Sequence, residues 1–470
     1  MHTKRSKNSA PPPRPARVHP PFTPAQLLTF LLRLLPNRAL LSLPSLKNHT
    51  FYDRLFTPLV TLWYLLFQRL NDDHSLDAVL TDARAGGADQ LNGKLSRQLL
   101  SGSTSSYSDA RQRLPEPLLA DALRLQGRNI TSLSSLALWK GFSVGLLDGT
   151  TVRLRPYRNI PQEFPPHSNQ HQKRTYWCLM RVVVGFCCFT GAALDCAMGS
   201  THFSEQALSC EILLRALGNW LFIGDRNFGI FRIVQTARAQ KHHVLLRMTE
   251  KRAAKLLGKA LQLGDHAVTW EPTRHDQLQP GLKTDPIEGR LIVVLLNRPG
   301  FRSQRLCLFT TLVDVVQYPM AELVRIYGLR WHIELDLRYV KAQMESAQLE
   351  AHSAQMARKE WLASLMAYNL IRAAMLCAAL HKGIPPLTLS FSACRRRLEY
   401  WLRDFGSTKA GAQAIWVRTL AEMSQCLLPK RRRPRPNEPR AQRHLRESYP
   451  PLVGSRSQAR RKMQQYTGKS

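Results

Sequence analysis

The chain has 470 residues, of which 44% are hydrophobic and 21% charged, so it is long enough for two or three domains and its composition excludes disorder throughout. Its formal net charge is +34, an excess that a folded protein tolerates best when a polyanion neutralises it. Residues 1–19 contribute +5 and residues 430–470 contribute +11, which leaves +18 for the body of the chain. This distribution favours a nucleic-acid partner, although a basic tail alone often serves only solubility.

Nine cysteines occur without a zinc-type CxxC pair, and we interpret them as reduced core residues. The Pro-rich N-terminal segment lacks the apolar region of a signal peptide, so we expect no secretion. The most apolar run, residues 361–380, is interrupted by Ser364, Asn369 and Arg372, which favours a buried helix over a membrane span. We therefore expect a cytoplasmic protein, associated with the nucleoid if the cell is bacterial, and no membrane contact.

The N-terminal part of the chain combines a tail with a helical region. Residues 1–23 are predicted to be a disordered basic and Pro-rich tail, and the Leu-rich spacing of residues 24–130 predicts a helical DNA-binding domain. Within it, Ser108 and Asp109 are expected to cap a short helix that ends at Arg113. Pro115 is expected to open the next helix, in the layout of a helix-turn-helix, although such Ser-capped helices are more often purely structural.

From about residue 139 the hydrophobic period changes and predicts alternating strands and helices. Strands are predicted at 143–147, 179–188, 192–198, 220–224 and 244–248, with helices at 204–217 and 228–240. The resulting order, βββαβαβ, is typical of a mixed sheet covered by helices on its faces. Functional sites in such sheets form where strands end in loops.

The second half of the chain begins with a change of pattern. Residues 249–315 contain Pro, Gly and β-rich segments, which predict an inserted β-subdomain. A long helix is predicted over Met320–Met344, another over Gln355–Leu380, and further helices over 381–429. Residues 430–470 are basic, contain Pro and are predicted to be disordered in the absence of a partner.

Two aspartates follow predicted strands. Asp148 lies in Leu-Leu-Asp-Gly-Thr-Thr at the end of the first strand, and Asp225 lies in Asp-Arg-Asn-Phe-Gly at the end of the fourth. Either alone is more typical of a turn, since Asp-Gly is a common turn dipeptide and Asp readily caps a helix. Two carboxylates at the ends of adjacent strands repel each other when ionised, and a shared divalent cation relieves that repulsion. The pair therefore predicts a metal site.

A polar stripe is predicted on the long helix. Tyr327, Arg330, Glu334 and Lys341 are separated by three, four and seven residues, and at about 100° per residue these steps keep them within a stripe of about 60°. The adjoining stripe is apolar, so the four are expected to line a cleft at the edge of the buried face. A solvated charged face is the alternative, but a tyrosine and an acid mixed with two bases favour a phosphate-binding cleft.

Asp336 is a second acid on the same predicted helix. Because two helical residues turn the side chain by about 200°, Asp336 is expected to point away from the stripe that contains Glu334. The sequence therefore predicts that Asp336→Asn has little effect on cleavage.

The spacing Y-x2-R-x3-E-x6-K, after an Asp in DGT and an Asp in DRNFG, resembles the transposases of insertion-sequence family four. The resemblance covers residues 139–380, and Ser106–Pro115 also looks like the N-terminal helical region of relatives. It implies an α/β fold with a ribonuclease-H-like mixed sheet and a β-rich insertion, preceded by a helical DNA-binding domain and followed by C-terminal helices. In that family the insertion lies between the second Asp and the Glu, where residues 249–315 fall.

The resemblance implies that Asp148, Asp225 and Glu334 are catalytic and bind two Mg2+ or Mn2+ ions. Carboxylate oxygens suit such hard cations, and a pair of ions promotes in-line displacement at phosphorus. The resemblance further implies that Tyr327, Arg330 and Lys341 hold phosphates beside the metals.

Three more residues are candidates of lower specificity. Arg226, next to the second Asp, is expected to assist in DNA contact. Trp270 is the only Trp of the insertion, where relatives stack an aromatic residue on a base flipped out during hairpin formation, although core packing is the more common use of such a residue. His202 lies in Thr-His-Phe-Ser-Glu and stays outside the predicted site, since a lone His is more often structural.

The function implied by the resemblance is cut-and-paste DNA transposition through metal-dependent cleavage and strand transfer at the ends of an insertion sequence. Its partners would be double-stranded DNA, in terminal inverted repeats and target, and a second copy of the chain in a homodimer. The alternative is a catalytically inactive, transposase-derived DNA-binding protein, against which the intact acidic triad argues. A ribonuclease or Holliday-junction nuclease of the same fold gives no reason for the polar stripe or the helical N-terminal region.

Overall fold

The fold is described from a computed structural model covering residues 22–35, 40, 43, 54–133, 138–168, 174–296, 304–405, 411–429 and 455–467. Its α-helices, numbered along the chain, are α1 Pro24–Leu34, α2 Pro58–Leu70, α3 Leu76–Arg84, α4 Leu95–Gln98, α5 Ser105–Arg113, α6 Glu116–Ser132, α7 Ile160–Glu163, α8 Glu205–Arg215, α9 Phe231–Ala239, α10 Glu250–Leu257, α11 Arg274–Gln277, α12 Met320–Tyr327, α13 Trp331–Arg338, α14 Ala354–Lys382, α15 Phe391–Phe405, α16 Ala412–Ser424 and α17 Arg456–Thr467. The strands are β1 Leu138–Trp139, β2 Phe142–Leu154, β3 Pro166–Ser168, β4 Arg174–Cys187, β5 Ala193–Ser200, β6 Trp220–Gly224, β7 His243–Met248, β8 Gly264–Trp270, β9 Ile287–Leu296, β10 Gln304–Thr310 and β11 Gln348–Leu349.

The chain divides into two compact units. The first comprises Met1–Ile212 and Trp331–Leu427, and the second comprises Leu213–Arg330 and Leu428–Ser470. These units do not coincide with the domains predicted from the sequence. The predicted helical domain at 24–130 and the predicted C-terminal helices at 381–429 fall within the same compact unit as the first strands.

The sheet of the first unit is built on β2 and β4. These strands pair in antiparallel register from Gly145 opposite Cys187 to Leu154 opposite Cys178. Strand β4 also pairs with β3 and with β5, while β11 adds to β2 in parallel. The continuous apolar run Val182–Cys187 of β4 is buried throughout, as expected for a strand covered on both faces, and its β-branched residues favour extended backbone. The three strands predicted at the start of this region are therefore confirmed, and β2 and β4 are longer than predicted.

Helix α14 forms the core of the first unit. It packs against the N-terminal helices α1, α2 and α6, the C-terminal helices α15 and α16, and strand β5. Nearly all of its residues from Ala354 to Ala379 are buried. A helix that is apolar on all faces is stable only when every face is covered. Segments from distant parts of the chain therefore pack around α14. The prediction of a buried helix between residues 355 and 380 is confirmed.

The polar residues that interrupt the apolar run of α14 bond to the rest of the core. Asn369 accepts a hydrogen bond from the Ala193 backbone N–H at 2.8 Å and donates one to the Ala193 carbonyl at 2.9 Å, and so completes the edge of β5. Ser364 donates to the Glu360 carbonyl at 2.8 Å. Among the described helices, α14 is the one long and apolar enough to cross a membrane, but its apolar stretch is entirely buried.

The helices α5 and α6 differ in detail from the prediction. Helix α5 begins at Ser105, so Ser108 and Asp109 lie inside the helix and do not cap it. Helix α6 follows directly after Pro115, as predicted. The two consecutive helices are consistent with the expected layout, but α5 is also anchored to α14, because Arg111 forms an ion pair with Glu360 at 2.7 Å. Because the N-cap residue Thr104 makes no side-chain capping hydrogen bond, α5 is positioned by its contacts with neighbouring helices.

The second unit has a sheet in the order β6-β7-β10-β9-β8. Strands β6 and β7 are parallel, and β10 pairs with β7 in antiparallel register, with Cys307 opposite Met248. Strands β9 and β8 continue the sheet. The predicted β-rich insertion thus does form strands, but they extend the sheet of this unit and do not form a separate subdomain, because β10 supplies the hydrogen-bond partner that the edge of β7 requires.

The predicted helix Met320–Met344 is divided into four segments. After α12 the backbone tightens into a 3₁₀ turn at Gly328–Arg330, continues as α13, and widens into a π-helix at Tyr339–Gln343. The three helix types rotate by different angles per residue. The uniform step of about 100° used to predict the stripe therefore does not hold along this segment.

The basic C-terminal tail contains regular structure. Residues 456–467 form α17, whereas the prediction was disorder over 430–470. Residues 430–454 and the predicted tail at 1–21 lie outside the described residues.

Candidate active site

Asp148 lies inside strand β2, opposite Val184 of β4, and not at the end of a strand as predicted. The strand continues for six more residues to Leu154 because Thr150, Thr151 and Val152 favour extended backbone. The Asp148 side chain is half-buried, and its Oδ1 accepts a hydrogen bond from the Gly149 backbone N–H at 2.8 Å. Pairing with β4 overrides the turn tendency of the Asp-Gly dipeptide.

An acid that the sequence analysis did not select lies beside this strand. A Cβ atom built on Gly149 would be 2.5 Å from the Glu205 Cδ atom, so the Glu205 side chain lies directly against this glycine and would have to shift if the residue carried a side chain. Glu205 is the first residue of α8. The signal in the sequence was the Gly of the Asp-Gly-Thr motif, which marks close approach of another group as readily as it marks a turn.

Lys341 is bound to the same strand. Its Nζ donates to the Thr150 Oγ1 at 3.0 Å and to the Thr151 carbonyl at 3.2 Å. Burial, followed by the positive charge of Arg153, lowers the pKa of Lys341. The lysine predicted to hold a phosphate therefore binds residues that follow Asp148 directly along β2.

Glu334 and Asp336 occupy different environments on α13. Helix α13 packs against β2, the strand that contains Asp148. Glu334 is half-buried, whereas the Asp336 side chain is 2% exposed and forms an ion pair with Arg372 in the core. Burial, opposed by Arg372, raises the pKa of Asp336 to about 6. Of the two acids, Glu334 is the one whose side chain reaches solvent.

Asp225 immediately follows β6 in the second unit, at the strand end predicted from the sequence. Its Oδ1 accepts a hydrogen bond from the Asn227 N–H at 2.8 Å, and its carbonyl accepts one from the Phe228 N–H at 3.1 Å. These bonds form a tight turn. The carboxylate is half-buried, and the neighbouring Arg226 is exposed.

Tyr327 lies among charged groups of the second unit. It is 7% exposed, and burial raises its pKa to about 12. Arg330 and Arg247 oppose this shift, while the negative charge of Asp225 adds to it. Tyr327 therefore lies within electrostatic range of one predicted metal ligand and two arginines. Arg247, on β7, was missed by the sequence analysis because nothing in its strand distinguishes it from an ordinary polar position.

The two tryptophans near the predicted site differ in exposure. Trp270 is 8% exposed and packs edge-on against Phe309, with ring centroids 4.9 Å apart. The ring therefore belongs to the core of the second unit, which is the structural use that the sequence analysis set beside base stacking, and stacking on a DNA base stays an untested prediction. Trp331, which the sequence analysis did not select, is 59% exposed at the start of α13. His202 is exposed in the turn after β5.

The three predicted metal ligands are divided between the compact units, with Asp148 and Glu334 in the first and Asp225 in the second. Within the part of the chain that the structure describes, no three His, Cys, Asp or Glu side chains form a group able to hold a metal ion. Mg2+ in phosphoryl-transfer sites is commonly held by one or two carboxylates together with substrate phosphates and water. The oxygen donors present fit that mode of binding.

Comparison with known proteins identifies the class of protein. Residues 139–370 match the family model described as "Transposase DDE domain". The chain is 25% identical over 339 residues to transposase InsG for insertion sequence element IS4 of Escherichia coli strain K12, covering 70% of this chain and 74% of that protein. A solved structure of the piggyBac transposase synaptic complex with hairpin DNA is 9% identical, with a TM-score of 0.38 and 86% of each chain covered.

The matching domain and the similar insertion-sequence enzyme define the protein as a DDE transposase, an enzyme that cleaves DNA strands and transfers them during transposition. Within that class, the two comparisons support a transposase of insertion-sequence family four, because the similar enzyme is the transposase of IS4. The resemblance inferred from the Tyr, Arg, Glu and Lys spacing is confirmed.

Proposed function

We propose that the enzyme carries out cut-and-paste transposition with Asp148, Asp225 and Glu334 as the acidic triad. The observation that carries this assignment is the packing of α13, with Glu334, against β2, with Asp148. It brings two of the three predicted acids onto neighbouring elements of one compact unit. A ribonuclease-H-like arrangement of the catalytic domain is part of the same proposal.

The triad would hold two Mg2+ or Mn2+ ions. When bound, such ions supply Lewis-acid stabilisation of the oxygens that attack and leave phosphorus. The protein's own contribution is to present carboxylate oxygens on rigid elements, with DNA phosphates and water completing the ligand set. Half-burial of Asp148, Asp225 and Glu334 suits this role, because each carboxylate is ordered by the fold and still reaches solvent.

Basic groups and Tyr327 would position the DNA backbone. Arg330 offers a planar fork that fits a phosphate in two places, and Lys341 offers a point charge beside β2. Arg247, which lies close to Tyr327, joins this group, and the exposed Arg226 would make an outer contact. Such contacts fix the register of the DNA without reading its sequence.

The DNA partners in this proposal are the terminal inverted repeats of the element and its target, bound by a homodimer in the cytoplasm at the nucleoid. The net charge of +34 supports a large number of phosphate contacts. Helices α5 and α6 are the proposed DNA-binding pair of the N-terminal region.

Substitution of Glu334 tests the proposal. Glu334→Gln keeps the shape of the side chain and removes the charge that a hard cation needs, so we expect it to abolish strand cleavage. Specific binding to element ends should be retained. The measurement is cleavage of a labelled element end in Mg2+ or Mn2+, with a gel shift on the same DNA.

The matched control is Glu350→Gln. Glu350 is an exposed acid of the same unit, paired at the surface with Arg155 at 3.1 Å, and such pairs contribute little stability. Cleavage that survives in Glu334→Gln would reject the triad. A wild-type protein that binds element ends but never excises a marked element from a plasmid would instead support the inactive, DNA-binding alternative.

A further inference from the structure

A buried ion pair lies beneath the helix that contains Glu334. Asp336 of α13 pairs with Arg372 of α14, and the two side chains are 2% and 3% exposed. Both lie in the first compact unit. The pair therefore joins the helix of a predicted metal ligand to the central helix of the same unit.

The guanidinium of Arg372 is held on several sides. Its Nε donates to the Tyr368 Oη at 2.7 Å, and its Cζ lies 5.5, 5.2 and 5.3 Å from the ring centroids of Tyr339, Tyr368 and Phe391. Tyr368 in turn donates to the Gly191 carbonyl at 2.7 Å. Cation–π contacts in a desolvated site add to the charge-assisted bonds. The orientation of the guanidinium fork is thus fixed independently of Asp336.

The loop between β4 and β5 is shaped to admit this group. Gly191 has φ +70°, and a Cβ atom there would lie 2.9 Å from the Arg372 Cζ and Nε atoms. A side chain at this position would be strained by its backbone and would also displace the guanidinium. The loop between β4 and β5, together with α14 and α15, therefore forms the binding pocket of the Arg372 guanidinium.

The π-helix after α13 is fixed at two points. Tyr339, its first residue, stacks on Phe391 with centroids 4.7 Å apart and planes at 14°. Lys341 is bound to Thr150 and Thr151 on β2. Because π-helical turns have poorer backbone geometry than α-helical ones, they persist where side chains hold them in place.

We infer that Arg372 is a positioning residue for transposition: by binding Asp336, it sets the rotation of α13 and so directs Glu334 toward the side of β2 where Lys341 is anchored. This inference rests on the proposed role of Glu334 as a metal ligand. A pair of buried charges adds little stability compared with apolar residues of equal volume, whereas its directional bonds permit one rotation of the helix. Orientation is therefore the property that this network supplies.

The test is the metal dependence of cleavage in Arg372→Lys and Tyr368→Phe. Lysine keeps the charge but loses the fork, and phenylalanine keeps the ring but loses the hydroxyl that orients Arg372. Residues that orient metal ligands typically change metal affinity or activity by about 10-fold or more on mutation. We expect the half-saturating concentration of Mn2+ or Mg2+ for cleavage of a labelled element end to rise about 10-fold, with gel-shift affinity for that DNA unchanged.

Glu360→Gln is the matched control. It breaks another buried ion pair of the same unit, between Arg111 of α5 and Glu360 of α14, which does not involve α13. General loss of stability reduces the amount of active enzyme but does not change the metal concentration that half-saturates the remainder. An equal rise in Glu360→Gln would overturn the inference.

Tyr368→Phe keeps the inference testable if Arg372→Lys does not fold, because it retains the ion pair and the ring. Wild-type metal dependence in Tyr368→Phe would reject a positioning role for the network. If Tyr368→Phe shows wild-type metal dependence and Glu334→Gln is inactive, the positioning role of Arg372 is rejected and the triad stands. If Glu334→Gln still cleaves DNA, the proposed triad itself is rejected.

Discussion

Asp336 and Arg372 form a buried ion pair, so removal of one charge leaves the other without its partner in the core. Breaking such a pair costs about 3–5 kcal/mol of folding free energy. Asp336→Asn is therefore expected to destabilise the first unit, as chemical denaturation would measure, and this replaces the small effect predicted from the sequence. Loss of cleavage in that variant alone would not identify Asp336 as a metal ligand.

The exposure of two tryptophans predicts opposite effects of their removal. Trp331→Ala should leave the fold intact, because the ring is 59% exposed. If this exposed ring stacks on a DNA base, its removal should also weaken that step by about 1–3 kcal/mol. Trp270→Ala should instead lower the free energy of unfolding by about 3–5 kcal/mol, because it opens a cavity beside Phe309. Chemical denaturation and separate rates of nicking and hairpin formation measure the two effects.

If Trp270→Ala kept wild-type stability and slowed only the hairpin step, the ring would act on DNA despite its burial. If Trp331→Ala changed stability as much as Trp270→Ala does, its exposed ring would be a structural element and would not contact DNA.

The sequence predicted the position of Asp225 better than it predicted the surroundings of the other candidate residues. Asp225 was placed at the correct strand end, whereas Asp148 lies inside β2. The functional roles assigned along Tyr327–Lys341 stay predictions. Local sequence could not show that Trp270 is buried or that Glu205 lies against Gly149, because both depend on residues distant in the chain. Arg247 was missed for the same reason.

At the scale of helices, Lys359 of α14 caps another helix. Its Nζ donates to the carbonyls of Arg111 at 3.0 Å and Gln112 at 2.8 Å, at the C-terminal end of α5. Burial lowers the pKa of Lys359 to about 8. A neutral amine still has two hydrogens to donate, so the capping bonds remain when the proton is lost.

This arrangement predicts how stability depends on pH. Because the folded pKa is about 8 and the ordinary value is 10.5, the unfolded chain binds more protons in that interval, and the free energy of unfolding should rise with pH across it. The contribution reaches at most about 3 kcal/mol. Urea denaturation at several pH values between about 7.5 and about 10.5 measures it.

Lys359→Met is the control for this titration. Without an ionisable group at this position, the rise in stability between about pH 8 and about pH 10 should be smaller than in the wild type. Identical pH profiles for the two proteins would show that Lys359 keeps its ordinary pKa in the folded state.

Strands and helices could be predicted where the spacing of apolar residues along the chain reflects which faces of the element are buried. The strand at 220–224 and the helix at 355–380 follow directly from apolar patterns. The continuation of β2 past Asp148 could not be predicted, because it depends on pairing with β4, and the Asp-Gly dipeptide locally favours a turn. The π-helix after α13 is held by the contacts of Tyr339 and Lys341 with residues distant in the chain, which the spacing of apolar residues along one helix does not show.

At the scale of the whole molecule, the basic C-terminal segment is expected to contribute to DNA affinity without sequence preference. Residues 430–470 carry a net charge of +11, part of it on α17. Truncation after Leu428 should weaken binding to all DNA sequences alike. It should also reduce the slope of log affinity against log salt by about 0.9 for each phosphate that the tail neutralises in the wild type.

Binding titrations at several salt concentrations, on element-end DNA and on unrelated DNA, measure this effect. A truncated protein that kept the full affinity and the full salt slope would show that the tail does not touch DNA. A decrease in affinity confined to element ends would assign sequence recognition to the tail, contrary to the prediction.

The compact units could not be predicted from the sequence because the first is discontinuous. Changes of composition at about residues 130 and 380 indicated boundaries there, yet the structure joins both flanking regions to the central strands through α14. Packing between segments that are distant along the chain leaves no local signal.

The position of α14 in the chain also governs when the protein can fold during its synthesis. Helices α1, α2 and α6 leave the ribosome long before residues 354–382 exist, so their apolar faces must wait for the surface that will cover them. The larger segment of the second unit, Leu213–Arg330, is continuous and is complete before α14 is made, although Leu428–Ser470 of the same unit follows α14. A translation product that stops before α14 would therefore expose the apolar faces of these helices and would be bound by chaperones and degraded by proteases. Premature termination would thus leave few stable fragments that could compete with the full-length enzyme.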